Sequence, residues 1–519
     1  MRHYLPWVAY SLIAATLSVS SLNASEDAIP EDMQKIMHQE KYDHSFWGVY
    51  VKDLQTGEIL YDLNSDKLFS PASTTKLFSV SALLNAFGDD YRFKTPVFAS
   101  GKVSNGKLEG SLILVGQGDL TMGGRQPNAD TIAFTKMDHI VANQVPGAIL
   151  TKEDPLQGFN DLAKQVSKSG IREVTGDVVI DDSLFEIVEK RDMIITPIMI
   201  NENLIDLVLN PTEVGEIANL KWRPQVPGYK IDNQVKTVSK DQKLDITITS
   251  DDSGQNIVLK GTIPQGQHNI VRTSSIKDPK AFARTAFIQA LQQNGVKVAS
   301  ADKKPSEDLT LKSFKDPQQV ALWTSPPLSQ YAKLILKVSH NLGANLVPLL
   351  LASHDGKKTF NEGMQLIGNF VIGQVKISPN AFVLVDAAGG NENRFTPQAE
   401  IKLLEYSHNL PKEKFERFFD ALPILGVDGS LEDFGKNTPA VGKVRAKPGT
   451  GVSINLATQR LFLITQALAG YVEGKNGHLY AYIVVTNNAD MSTIEDVFAM
   501  FEDDSQLSNL IYEHTDSKK

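Results

Sequence analysis

The sequence predicts an α/β protein in which a core built from two separate parts of the chain carries a long, mainly β insertion. At 519 residues the chain is too long for one compact domain, so two or more lobes are expected. Helical periodicity occurs over residues 328–351 and 399–422, whereas residues 93–317 show short alternating strands separated by Gly, Asn and Asp turns. The predicted division is a discontinuous core, 25–92 and 318–519, interrupted by an insertion that forms two lobes.

The local pattern predicts each element in turn. Residues 47–63 alternate between apolar and polar positions around Gln55-Thr56-Gly57, as in a β-hairpin. A buried helix is predicted after Pro71, and Gly88 ends it. The other predicted elements are insertion strands at 112–115, 178–180 and 244–248, insertion helices at 157–169 and 279–294, strands at 461–464 and 479–485, and a final helix at 492–503.

Residues 1–24 have the pattern of a signal peptide. Arg2 gives a basic start, an apolar stretch runs from Leu5 to Val19, and a plausible cleavage site ends at Ala24. A membrane anchor is the weaker alternative, because the apolar run is broken by polar residues and is short of the roughly 18 residues that spanning needs. We therefore expect an exported protein, cleaved near Ala24, with at most a peripheral membrane association.

Composition excludes several classes of function. The net charge is -9 and basic residues are dispersed, which argues against a nucleic-acid partner. The chain has no cysteine, so disulfides, thiol catalysis and thiolate metal sites are excluded. Its 10 histidines are scattered without a metal-binding spacing. No metal and no other cofactor are expected, and the oligomeric state is left open.

Three short motifs follow one another along the chain: Ser73-Thr74-Thr75-Lys76, Ser339-His340-Asn341 and Lys447-Pro448-Gly449-Thr450. Serine acyl-transferases that bind penicillin carry S-x-x-K, S-x-N and K-T-G in this order. Each motif alone is weak, since S-x-x-K recurs at Ser104/Lys107 and S-x-N at Ser407-His408-Asn409. Their order and context supply the specificity: a helix start, a helical region, and an edge-strand position.

The spacing within the first motif predicts a nucleophile and its base. A serine hydroxyl needs a base to remove its proton, and no His with an Asp partner stands at triad-like spacing. Lys76 stands three positions after Ser73, a spacing that places both side chains on one helix face. Burial and a second cation, Lys447, would lower the pKa of the Lys76 amine and make it a base.

Beyond these motifs, the chain resembles the class C penicillin-binding proteins. These are the D-alanyl-D-alanine carboxypeptidases and endopeptidases of the penicillin-binding protein 4 type, and the resemblance covers nearly the whole mature chain. It implies a serine β-lactamase/transpeptidase-like core, an antiparallel sheet flanked by helices. The segments that carry it include Pro71-Ala72-Ser73, Gly116-Gln117-Gly118-Asp119, Asp181-Asp182-Ser183-Leu184-Phe185, Asn201-Glu202-Asn203, Ser325-Pro326-Pro327-Leu328 and Val427-Asp428-Gly429-Ser430.

The resemblance also implies a function and a place of action. Such an enzyme is periplasmic, cleaves peptidoglycan peptides through an acyl-enzyme on Ser73, and is inhibited covalently by β-lactams. Ser339 would shuttle a proton to the leaving amine, and Asn341 would hold the substrate backbone and Lys76. His340, between them, is expected to be a helix-surface or packing residue.

Substrate binding is assigned in the same way. The oxyanion hole would use the backbone N–H groups of Ser73 and of Thr450, the residue that follows Gly449. Asp181 and Phe185, both in the insertion, are candidates to contact the side chain of the substrate, with a turn or core role as the alternative.

Two departures from the family pattern bear on binding. Pro448 replaces the threonine whose hydroxyl relatives offer to the substrate's terminal carboxylate, although an edge strand can accommodate proline. We expect weaker carboxylate recognition, partly rescued by Lys447 or Thr450. Glu392 stands where relatives often have an arginine, which reverses the charge available for an acidic substrate side chain.

Three functions are therefore weighed. The first is an active serine D-Ala-D-Ala carboxypeptidase or endopeptidase, supported by retention of all five reactive side chains: Ser73, Lys76, Ser339, Asn341 and Lys447. The second is a catalytically impaired peptidoglycan-binding or scaffolding homologue, suggested by Pro448, Ala388 and Glu392. The third, a β-lactamase, would need fast deacylation, and no water-activating Glu is identified for it.

Overall fold

The computed structural model of the protein describes residues 29–303, 309–493 and 495–516. The signal peptide predicted for residues 1–24 lies outside these ranges. Within them, no helix combines the length and the apolar character needed to cross a membrane.

Helices make up most of the layer next to the core sheet and also occur in the insertion. In the part of the chain that the structure describes, the α-helices are α1 (Glu31–Met37), α2 (Thr75–Phe87), α3 (Gln157–Lys168), α4 (Pro279–Gln293), α5 (Leu328–Lys337), α6 (Asn341–His354), α7 (Phe360–Gly373), α8 (Pro397–His408), α9 (Lys412–Ala421) and α10 (Glu495–His514).

Strands follow the first helix, precede the last one, occur throughout the insertion and form a short pair between α7 and α8. They are β1 (Phe46–Asp53), β2 (Ile59–Leu63), β3 (Lys94–Ser104), β4 (Lys107–Val115), β5 (Glu173–Val174), β6 (Val178–Asp181), β7 (Val188–Lys190), β8 (Met193–Ile195), β9 (Leu204–Asn210), β10 (Asn219–Arg223), β11 (Lys230–Val238), β12 (Asp245–Ser250), β13 (Asn256–Pro264), β14 (Ile270–Ser275), β15 (Lys297–Val298), β16 (Gln318–Thr324), β17 (Phe382–Val383), β18 (Arg394–Phe395), β19 (Val444–Asn455), β20 (Arg460–Glu473) and β21 (Leu479–Asp490).

A five-stranded antiparallel sheet forms the core, in the order β19-β20-β21-β1-β2. Side chains alternate between its two faces. Tyr50 and Ile483 pack in one apolar cluster with α2 and α5 to α8, whereas Val49 and Val484 pack in a second cluster with α1 and α10. The predicted antiparallel sheet flanked by helices is therefore confirmed.

The insertion has its own apolar core and three principal sheets. One is six-stranded, with the path β15-β5-β4-β3-β16 and β6 beside β4, and the other two are the three-stranded β10-β9-β14 and β11-β13-β12. Strand β16 pairs with β3, although the predicted boundary placed residues from 318 onward in the core. The domain limits remain a prediction, and this pairing favours moving the second boundary beyond Thr324.

Both long helical regions of the core are divided into two helices. Residues 328–351 contain the whole of α5 and most of α6, which are separated at Ser339, where the backbone φ is +59°. Apolar periodicity continues across this break, so the sequence pattern does not show it. Residues 399–422 divide before α9, whose first turn follows Pro411.

Candidate active site

The three motifs meet beside the edge of the core sheet. Ser73 lies in a single 3₁₀ turn, Ala72–Thr74, that leads directly into α2. The second motif occupies the junction between α5 and α6. The third lies on β19, the edge strand, as the sequence predicts. The serine is partly exposed, while the two motif lysines, Lys76 and Lys447, are fully buried.

Lys76 is held by three oxygen atoms. Its Nζ lies 2.8 Å from Ser73 Oγ, 2.9 Å from Asn341 Oδ1 and 2.7 Å from the Ala388 carbonyl oxygen. The last two oxygens can only accept hydrogen bonds. An uncharged amine has two N–H groups for them, and its lone pair is then left for the Ser73 hydroxyl. The contacts therefore suit a neutral Lys76 that receives the serine proton.

The electrostatic surroundings favour the same uncharged state. Burial, followed by the positive charges of Lys447 and Arg191, holds the pKa of Lys76 well below its usual range, and Asp386 opposes this shift. A lysine with its usual pKa would be protonated at neutral pH and could not act as a base.

Lys447 joins the second motif to the third. Its Nζ donates to Ser339 Oγ at 2.9 Å and to the Pro448 carbonyl at 2.6 Å. Burial lowers the pKa of Lys447 to about 7. The second serine therefore has an amine partner that can exchange a proton close to neutral pH.

The edge strand continues through Pro448, which pairs in register with Leu468 on β20. Gly449 is required by a close approach: a Cβ there would lie 2.3 Å from the Pro71 carbonyl oxygen. The Thr450 hydroxyl donates to Gln466 Oε1 at 2.8 Å, toward the neighbouring strand. That contact makes Thr450 a poor substitute for the hydroxyl that Pro448 lacks, so rescue by Lys447 is favoured.

A tight loop presents the carbonyl that contacts Lys76. Asp386 Oδ1 accepts from the backbone N–H groups of Ala388 and Gly389 at 3.1 and 2.8 Å. Gly389 has φ +99°, and a Cβ there would lie 1.9 Å from the Ala72 carbonyl oxygen. Only glycine fits this approach to the nucleophile turn. No sequence pattern marks the Ala388 carbonyl, because its contact with Lys76 joins residues far apart in the chain.

The insertion brings a cation to the same loop. Arg191, at the turn between β7 and β8, has its Nε 3.5 Å from Asp386 Oδ2. Glu392, six residues after Asp386 in the same loop, is exposed. Arg191 has no counterpart among the predicted site residues.

The two predicted side-chain readers are not joined to this cluster by any described contact. Both carboxylate oxygens of Asp181 accept backbone N–H groups, from Ser183 at 3.0 Å and from Leu311 at 2.7 Å. Phe185 is 3% exposed and packs in the core. These placements favour the turn and core roles that the sequence left open for them.

His340 is a residue whose role the sequence analysis missed. It is fully buried, and its ring contacts Glu202 of the insertion at 3.0 Å. Of the two roles expected for His340, a helix-surface or a packing residue, the buried position contradicts the first. A histidine directly before a helix can cap it, but the sequence carries no signal that pairs it with a residue 138 positions away.

Among the described residues, one group has metal-ligand geometry: the donor atoms of Asp138, His139 and Glu202 all lie within 4.8 Å of one another. Arg125 donates to both carboxylates, with Nη2 2.8 Å from Asp138 Oδ1 and 3.0 Å from Glu202 Oε2. The guanidinium thus supplies the positive charge, and we assign no metal to this group.

Behind the nucleophile lies a buried carboxyl group. Thr74 Oγ1 donates to Glu400 Oε1 at 2.7 Å, and Glu400 is 1% exposed. Burial raises the pKa of Glu400 to about 8. This side chain therefore keeps its proton at neutral pH in the folded protein.

Replacing Glu400 should change how stability depends on pH. The Glu400 carboxyl has a pKa of 4.5 in the unfolded chain and about 8 in the folded protein. The contribution of Glu400 to stability is therefore complete below pH 4.5 and is lost as pH rises through 8. We expect Glu400→Gln to gain stability relative to wild type between pH 5 and 9, by about 4 kcal/mol. Thermal unfolding across this range measures it. Glu416→Gln, on exposed α9 surface, is the control, and equal pH profiles for wild type and Glu400→Gln would contradict the prediction.

Comparison with known proteins agrees with this geometry. Residues 29–505 match the model of the D-Ala-D-Ala carboxypeptidase 3 (S13) family. The chain belongs to this family. The prediction of a serine-type D-Ala-D-Ala carboxypeptidase is thereby confirmed at the level of the S13 family, and the non-catalytic alternative is not favoured.

Curated S13 relatives are distant but extend over most of the chain. A D-alanyl-D-alanine carboxypeptidase from Actinomadura sp. (strain R39) is 24% identical over 513 residues, covering 93% of this chain and 85% of its own. A Penicillin-sensitive carboxypeptidase A from Dictyostelium discoideum is 26% identical over 79% of this chain and 78% of its own. The D-alanyl-D-alanine carboxypeptidase DacB from Haemophilus influenzae is 23% identical, with 86% of each chain covered.

A solved structure confirms the S13 fold. The crystal structure of penicillin-binding protein 4 from Haemophilus influenzae matches with a TM-score of 0.70 at 20% identity, covering 93% of this chain and 99% of that one. Its complex with a β-lactam matches with a TM-score of 0.67. The predicted resemblance to the penicillin-binding protein 4 type is confirmed.

Proposed function

We propose that this S13 protein hydrolyses the peptide bond that follows the penultimate D-alanine of peptidoglycan peptides, through an acyl-enzyme on Ser73. The observation that carries the proposal is the position of Lys76, 2.8 Å from Ser73 Oγ with its two other contacts on oxygen acceptors. That arrangement activates a hydroxyl without a histidine.

The first half of the reaction acylates the serine. Ser73 Oγ bonds to the carbonyl carbon while its proton moves to Lys76, and the backbone N–H groups of Ser73 and Thr450 stabilise the oxyanion. Collapse of the intermediate breaks the C–N bond. The departing amine of the terminal D-alanine takes a proton from Ser339 Oγ, which Lys447 replenishes across 2.9 Å.

The second half restores the enzyme. Before deacylation, Lys76 releases the serine proton to solvent and Lys447 regains a proton from solvent, so both amines return to their starting states. Water then attacks the ester carbonyl and Lys76 takes its proton. Ser73 Oγ leaves with that proton, returned from Lys76. A β-lactam would acylate the same oxygen, because its strained amide takes the place of the peptide bond. Two relatives support this inference by name: the Penicillin-sensitive carboxypeptidase A and the penicillin-binding protein 4 crystallised with a β-lactam.

Recognition of the substrate's terminal carboxylate is assigned to Lys447. Pro448 offers no hydroxyl, and the Thr450 hydroxyl is occupied by Gln466. Peptidoglycan peptides as substrates also imply export, so the periplasm is the proposed location.

The proposed activity is tested with a synthetic peptide that ends in D-Ala-D-Ala. We expect stoichiometric release of one D-alanine, blocked by prior incubation with benzylpenicillin, and no release from the matched peptide ending in L-Ala-L-Ala. Absence of both hydrolysis and drug binding would contradict the proposal and support a peptidoglycan-binding role. Rapid hydrolysis of the drug would instead indicate a β-lactamase, whereas a persistent adduct counts against one.

A further inference from the structure

A charged cluster in the insertion lies directly against the second motif. It contains three acids and three bases: Asp138, Glu202, Asp206, Arg125, His139 and Arg223. Glu202 is its centre, since Oε2 accepts from Arg125 Nη2 at 3.0 Å and from His139 Nε2 at 2.7 Å. Burial alone would lower the pKa of His139, but the neighbouring carboxylates of Asp206 and Glu202 raise that pKa to about 10. The three positive and three negative charges therefore balance, with five of the six side chains buried and Arg223 partly exposed.

His340 connects this balanced cluster to the core. Its Nδ1 accepts the Gly343 backbone N–H at 3.0 Å, which caps the start of α6. A ring nitrogen that accepts carries no proton, so Nε2 carries the proton and donates to Glu202 Oε2 at 3.0 Å. One imidazole thus binds both the helix that begins with Asn341 and the insertion.

The backbone on each side of this contact has an unfavourable conformation. Ser339 has φ +59°, and Asn201, Glu202 and Asn203 have φ values of +50°, +59° and +60°. Left-handed backbone is costly for residues that have a Cβ and persists where the surroundings hold it. The side-chain hydrogen bond between His340 and Glu202 joins the two segments.

We propose that Glu202 is a positioning residue, which acts through His340 to hold Ser339 and Asn341 in place for acylation. The inference rests on the proposed function. The residues flanking His340 lie 2.9 Å from the two lysines, Ser339 Oγ from Lys447 and Asn341 Oδ1 from Lys76. A shift of the junction would lengthen both contacts at once, and small displacements of reacting groups cost large factors in rate.

Two substitutions of His340 separate its two bonds. Asparagine places an acceptor where Nδ1 was, so His340→Asn keeps the helix cap and loses the bond to Glu202. Glutamine places a donor near the position of Nε2, so His340→Gln keeps that bond and loses the cap. Ser300→Ala is the matched control, because it removes one donor, at 2.8 Å, from Asp177, another insertion carboxylate in an ion pair.

The measurements are the acylation rate constant with benzylpenicillin and kcat and KM with a peptide ending in D-Ala-D-Ala. We expect His340→Asn to lower acylation and kcat at least about tenfold with KM nearly unchanged. The acylation rate and kcat of His340→Gln should stay within about threefold of the wild-type values. Ser300→Ala should have the wild-type rates even where its melting temperature falls as much as that of His340→Asn. Equal rates for the two His340 variants, or a rate loss in Ser300→Ala as large as in His340→Asn, would overturn the proposal.

A readout independent of catalysis separates this inference from the proposed function. Hydrogen exchange of the backbone around Ser339 should be faster in His340→Asn than in His340→Gln or wild type. If wild type forms no adduct, the proposed function fails, while the exchange comparison still decides the positioning role. Identical exchange in all variants would overturn that role.

Discussion

Ser73→Ala should abolish formation of the covalent benzylpenicillin adduct, whereas wild type should gain one drug mass per chain. The variant retains Lys76 and the oxyanion N–H groups but has no oxygen to acylate. Intact mass spectrometry of the purified protein measures the adduct directly. Folding should persist, because the serine is partly exposed and its hydroxyl contacts only Lys76 among the described contacts.

The chain offers a matched control for this experiment. Ser104 and Lys107 repeat the S-x-x-K spacing at the turn between β3 and β4, where Ser104 is exposed. We expect Ser104→Ala to acylate as wild type does. An adduct on Ser73→Ala would move the nucleophile elsewhere and contradict the assignment.

Lys76→Met should slow acylation by about a thousandfold, the range in which a general base contributes. Methionine fills much of the same buried space but cannot accept the Ser73 proton. Because a fully buried amine is costly to hold, the melting temperature should stay close to that of wild type or rise. Stopped-flow acylation and thermal unfolding, measured on the same preparation, separate the loss of the base from a loss of folding.

Lys52→Met is the control for Lys76→Met, because it replaces a different lysine with the same residue. Lys52 lies on β1 and pairs with Glu405 of α8, so its loss removes a partly buried structural lysine without touching the motifs. It should acylate at the wild-type rate. A Lys76→Met protein that acylates within tenfold of wild type would exclude Lys76 as the base and turn attention to Lys447.

The part of the site that follows from the sequence is the part encoded by local geometry. One helical turn places Lys76 beside Ser73, and the structure has this contact at 2.8 Å. The edge position of Lys447 follows from the strand pattern near it. Periodicity predicted individual strands and helices of the core, whereas their arrangement as an antiparallel sheet flanked by helices followed from the family resemblance.

What the sequence did not show depends on distant partners. Ala388 is buried and offers Lys76 only a backbone carbonyl, so no side-chain pattern marks it. The break at Ser339 lies within continuous apolar periodicity, because both neighbouring helices pack in the same core. His340 looks like an arbitrary middle residue until the insertion brings Glu202 beside it.

The order of strands in the core sheet has a consequence for biosynthesis. Strand β1 pairs directly with β21, joining Phe46 to Asn487 across almost the whole described chain. Closing so long a loop has an entropic cost that the sheet recovers only when β19 to β21 are available. The nucleophile segment is made early, yet its edge strand and Lys447 are synthesised late. A nascent chain that stops short of β19 therefore holds Ser73 without its edge strand and Lys447, and the cluster of three motifs is completed only after β19 to β21 have been made.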